Sequence, residues 1–133
     1  MSLLLVGALA LSLQTAPAEL GHELFQFGAC EEAGWALDRT GIAPLVIGRL
    51  AESGLSDDDF QTAIADGATR AGTEFEAMTV AIATQADARA FRDVTIERCN
   101  ALSAAYPEIL SRTPETEAAW NARMQGVIAR YPE

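Results

Sequence analysis

The chain has 133 residues, half of them hydrophobic, and carries nineteen acidic side chains against nine arginines and no lysine, a formal charge of −10. A surface of that sign lacks the basic patch that releases counterions from a phosphate backbone, which excludes nucleic acid as a partner. It equally disfavours anionic lipid headgroups.

Leu3 to Leu13 opens the chain as an uncharged apolar run, and Ala16-Pro17-Ala18 follows with small side chains at the two positions that a signal peptidase inspects. This is the apolar region and A-x-A box of an export signal. The run is too short to span a bilayer, which takes about 20 apolar residues. No cysteine follows closely enough to accept a lipid, and no second long apolar segment comes later. Residues 1–18 are therefore expected to be a removed signal peptide, and residues 19–133 a single helical domain. The expected location is periplasmic or secreted, with no stable membrane anchor after cleavage.

The remaining chain reads as helices. Leu20 to about Arg39 has apolar residues at three- and four-residue spacing, with Gly41 as its stop. Ile42 to Ser53 is a shorter helix ended by Gly54, and Pro44 suits its first turn. Ser56 caps a third and longest helix, where Asp57, Asp58 and Asp59 complement the positive end of the dipole. Along it, Phe60, Ile64, Gly67, Ala71, Phe75, Met78 and Ile82 form one seam, small in the middle, where another helix can approach closely. A break at Thr84-Gln85 precedes a fourth helix from about Ala86 to Tyr106, stopped by Pro107. Thr113 and Pro114 open a fifth, with Trp120, Met124, Val127 and Tyr131 on one face. Alternation long enough for a strand is absent. The expected fold class is all-α, a compact bundle of four to five helices.

Cys30 and Cys99 are the two cysteines. An even count in an exported chain predicts an intramolecular disulfide. Leu20, Leu24, Phe27, Cys30 and Leu37 share one helical face, as do Phe91, Thr95, Cys99, Leu102 and Tyr106, so both sulfurs point toward the core. A redox-active pair is usually a local C-x-x-C, a motif this chain lacks.

Each constellation that suggests chemistry has a simpler explanation. An EF-hand begun at Asp57 would need glycine sixth and glutamate twelfth; the chain has Thr62 and Ala68 there, and capping by Ser56 accounts for the aspartates. His22 is the single histidine, with no G-x-S-x-G elbow to supply a nucleophile. Were residue 19 also trimmed, His22 would stand third in the chain and complete a square-planar Cu(II) or Ni(II) set. The covalent haem motif is absent, and ligation by His22 with Met78 or Met124 competes with core filling by both methionines. Glu31-Glu32 and Glu115-x-Glu117 diverge around their helices, unlike carboxylates facing a common glycosidic bond. No cofactor and no metal is expected. Trp120 belongs to the core, whereas Trp35 is expected to be partly exposed and to serve as a partner contact. The residues favour a non-catalytic binding protein whose partner is another protein of the cell envelope. The alternative is a small enzyme acting on envelope polymers with helix-borne carboxylates.

Overall fold

The computed structural model describes the backbone from Ser2 to Glu133 and the side chains from Pro17 onward. The side chains of Leu3–Leu13, on which the export reading rests, lie outside the described residues. Helix α1 (Ser2–Glu32) runs through the A-x-A box with Pro17 inside it. Its end is set by Gly34, whose φ of 106° only glycine adopts at little cost. The Gly34 amide donates to the Glu31 carbonyl and the Trp35 amide to that of Cys30, each at 3.0 Å. That pair of bonds is a Schellman closure. Apolar periodicity carries this helix on to Arg39; the structure ends it seven residues earlier because Gly34 reverses the backbone and turns Trp35 inward.

Two short strands then appear where alternation predicts none. β1 (Ala36–Leu37) pairs antiparallel with β2 (Leu110–Ser111), Ala36 opposite Ser111 and Leu37 opposite Leu110. Two residues per strand are too few to leave a periodic trace. A 3-10 turn at Arg39–Gly41 follows, capped by Asp38. The Thr40 hydroxyl and then the Thr40 amide donate to the Asp38 carboxylate and hold its pKa below the usual value.

The later helices match their sequence signals. α2 (Ile42–Ser53) stops at Gly54 with φ 70°. α3 (Asp57–Val80) is capped by Ser56, whose hydroxyl accepts from the Asp59 amide at 3.2 Å. α4 (Gln85–Ala105) starts with a capping box between Thr84 and Asp87. The Ala83 amide, aided by the hydroxyl and amide of Thr84, lowers the Asp87 pKa. α5 (Pro114–Ala129) starts with a second capping box, between Thr113 and Thr116. The fold is a compact all-α bundle, with five helices among the described residues and one minor two-stranded ladder. No helix among them is long and apolar enough to cross a membrane.

α1 and α3 run in the same sense, since Ala18 meets Gly67 and, two turns on, Phe25 meets Phe75. Their backbones nearly touch. A Cβ on Gly67 would lie 1.9 Å from the Ala18 carbonyl oxygen, and one on Gly21 would lie 2.0 Å from that of Ile64. The small middle of the α3 seam thus does what its composition predicts. A buried hydrophobic cluster lies elsewhere, where Phe27, Cys30, Trp35, Cys99, Leu102, Ile109 and Leu110 come together. Cys30 and Cys99 are disulfide-bonded there, with Cα atoms 5.9 Å apart.

Trp35 corrects an expectation. Its side chain is 5% exposed, within that core, and the Arg112 guanidinium stands 5.3 Å from the ring centre. The same guanidinium lies 5.9 Å from Trp120 and pairs with Glu117 at 2.8 Å. The inward turn at Gly34 makes Trp35 a packing residue.

The disulfide closes a loop of 69 residues in sequence separation, and the chain-entropy model assigns such a loop about 4 kcal/mol. Denaturant unfolding with and without reductant should show a loss of up to that amount. The intact mass should fall by two hydrogens on oxidation, and two freely alkylatable thiols in the folded protein would contradict the staple.

Candidate functional site

α4 is held at its two ends. At the start, the Gln85 amide donates to the Pro132 carbonyl at 2.9 Å, the Gln85 side chain donates to the Tyr131 carbonyl at 3.1 Å, and Ala88 is buried. At the other end, Cys99 is tied to α1. Between Arg89 and Arg98 no side chain is buried, and over this stretch α4 stands off from α1 and α3.

The gap is an apolar cleft. Phe75 is wedged edge-on between Phe25 and Phe91, with ring centres 5.9 and 5.7 Å away. Met78 and the disulfide complete the apolar wall, and His22, Gln26, Glu74 and Arg98 form the rim. The inner space is about 30 Å3, room for one or two waters. Beyond Met78 and Phe91 it widens into an outer groove of about 260 Å3 along Ala81, Ile82, Ala90 and Val94. Val80, 78% exposed at the end of α3, lies on the other side of that helix with Thr73, Glu76 and Ala77.

The structure gives His22 a partner that its sequence position conceals: Nε2 lies 3.2 Å from Glu74 Oε2. A carboxylate-oriented imidazole is two thirds of a hydrolytic triad, and a third member is missing from the described residues of the cleft. The Thr95 hydroxyl donates to the Phe91 carbonyl at 2.9 Å, a bond within its own helix. His22 and Met78 do line the same cleft, but its inner space is far too small for a haem, and Met124 sits half-buried on α5, outside the cleft lining. No group of three His, Cys, Asp or Glu among the described residues is placed to hold a metal ion. The paired carboxylates are engaged elsewhere, Glu31 with Arg39 and Glu117 with Arg112.

A second polar cluster ties α2 to the bundle. The Tyr106 hydroxyl donates to Glu23 Oε2 at 2.7 Å and accepts from Arg49 at 2.9 Å, while its ring packs edge-on against Phe27. Burial, reinforced by Glu23, pushes the phenol pKa up to about 12. α2 itself has no buried residue, and Ile47 on its outer side is 65% exposed. Sequence periodicity identifies Phe75 and Met78 on one apolar seam and Phe91 on another, but not Glu74, Arg98 or Phe25 as their neighbours. Those pairings depend on the tilt between helices.

Compared with known proteins, the chain matches no family model, no curated protein and no solved structure.

Two predictions follow from this geometry. Phe75→Asp places a carboxylate between two phenyl rings and should cost about 3 kcal/mol or more, read by thermal melts. Asp58→Asn, on an exposed first-turn residue, should barely move the melt, and calcium should leave both unchanged. A calcium-dependent rise abolished by Asp58→Asn would make the aspartates a site.

Tyr106 sets an alkaline limit. Its folded-state pKa is raised above the ordinary phenol value of 10.0 to about 12. The folded state therefore keeps a proton that the unfolded state loses first. The stabilisation is full below pH 10 and is lost as pH rises through 12. In a Tyr131→Phe background, the tyrosinate absorbance of Tyr106 should rise near pH 12, and titration near 10 would show the phenol to be free.

Proposed function

We propose that this chain is an exported small helical protein, periplasmic or secreted, that works by binding another protein of the cell envelope. The observation that carries the reading is the cleft between α3 and α4, apolar inside, with polar side chains at its rim, and continued outward by Ile82 and Val94. An apolar side chain from a partner fits such a site better than a reacting polar substrate does. Apolar anchors in concave sites carry most of the energy of protein interfaces. The alternative, an enzyme acting on envelope polymers, has Glu74 beside His22 as its most favourable pair.

Expression in an export-competent bacterium tests the address: N-terminal sequencing of the exported fraction should begin at Glu19, and Met1 or Ser2 in most of the product would refute export processing. Affinity capture from envelope extract tests the binding. The exported chain should retain a stoichiometric protein partner, and Ala90→Arg, at an exposed position lining the outer groove, should lose it at an unchanged melting temperature, since exposed substitutions usually move stability by less than about 0.5 kcal/mol. Turnover of a wall fragment, abolished by Glu74→Gln, would favour the enzyme instead.

A further inference from the structure

The bond that the export signal marks for cleavage, Ala18–Glu19, lies on α1 where that helix packs on α3, with Ala18 half-buried and Glu19 exposed. Hydrolysis breaks the amide between Ala18 and Glu19, water supplying a hydroxyl to the Ala18 carbonyl carbon and a proton to the Glu19 nitrogen. A peptidase must therefore reach that carbonyl carbon and bind its oxygen as negative charge develops there. Both atoms face α3 at its closest approach: a Cβ on Gly67 would stand 1.9 Å from the Ala18 oxygen and 2.8 Å from its carbon. Helical geometry engages the same carbonyl with the backbone four residues on. Pro17 on one side and Leu20 on the other are both buried, and about three turns further along α1 the Cys30–Cys99 bond locks the helix to α4.

We propose that folding closes the processing site: Ala18–Glu19 is cleavable only before α1 docks on α3, and a chain that folds and forms its disulfide first keeps residues 1–18. This rests on the export reading and deepens it. It makes processing and disulfide formation competitors in time, so that the same sequence has two folded products according to which occurs first. Gly67 is the closing element, because any larger side chain there holds the Ala18 backbone away from α3. Gly28, also on α1, has open space around its Cβ position and plays no such part.

The test uses the full chain with purified signal peptidase in mild detergent, its products identified by mass. The oxidised, folded chain should be cut at Ala18–Glu19 at least about tenfold more slowly than the same chain reduced and alkylated at both cysteines, as expected when cleavage waits on opening of the folded state. Alkylated sulfurs cannot return to the buried positions of Cys30 and Cys99. Equal rates would leave the export reading standing and overturn the gate. No cut at Ala18–Glu19 in either form would overturn both. The melting temperature of the full chain gives a readout independent of the peptidase. Gly67→Ala should lower it, although alanine favours a helix interior, while Gly28→Ala should raise it or leave it unchanged. A higher melting temperature for Gly67→Ala would show that Ala18 does not rest on α3, and the proposal would fall.

Discussion

The covalent tie between Cys30 and Cys99 decides which surfaces of this protein meet. It joins the last turn of α1 to the second half of α4, within the buried hydrophobic cluster of the molecule. The reversal at Gly34 starts four residues after Cys30 and sends the chain into β1, which pairs with β2 just beyond α4. Both ends of the ladder are thus delivered by segments that the disulfide already holds together. A two-rung ladder has no independent stability in water; here its partners are tethered, and the Asp38 amide extends it by donating to the Ile109 carbonyl at 2.7 Å. Such a tie persists in an oxidising compartment and is rare where thiols are kept reduced.

Because the disulfide fixes α4 at one end and the Gln85 contacts fix it at the other, the middle of α4 need not pack to stay in place. The opposite wall is different in kind. α1 and α3 touch through backbone at Gly21 and Gly67, an approach that leaves little room for either helix to slide. One side of the cleft is therefore stiff and the other is spanned between two anchors, with Phe91 as the side chain reaching across. Regions with few buried contacts open at the lowest free-energy cost. A ligand entering from the outer groove meets the wall that yields most easily, and the ring it displaces is held mainly by one edge-to-face contact.

Much of this was legible in the sequence because it was local. Caps and stops wrote themselves into single residues: Ser56 for α3, Thr113 with Pro114 for α5, Gly54 after α2; Thr84 read as a break, and only the structure shows it as the cap of α4. The disulfide followed from a count of two and from the apolar faces around each cysteine. The failures share a physical cause, since each depended on contacts distant in the chain. Apolar spacing continues past Glu32, so nothing in the periodicity favours Gly34 over Gly41 as the end of α1; the Schellman bonds and the core waiting for Trp35 decide it. For the same reason Trp35 reads as a surface residue from a helix that does not extend that far. Of the candidate site, the α3 and α4 seams were visible, whereas the meeting of His22 with Glu74, 52 residues apart, was not.

The chemistry of the cleft follows from what its walls leave unsatisfied. Three phenyl rings, a thioether and a disulfide offer water almost no hydrogen bonds, and the polar side chains lie at the rim, where solvent already serves them. Water in such a space is poorly held, and an apolar group that replaces it gains contact area without breaking good hydrogen bonds. A charged or heavily hydroxylated substrate gains nothing inside and must surrender hydration to enter. The rim completes the selection. Glu74 is shared with His22, whereas Arg98, the arginine at the rim, forms no ion pair among the described residues, which leaves it open to a carboxylate. Under the proposed binding role, an apolar anchor flanked by an acidic residue is the side-chain pattern that these walls and Arg98 would favour.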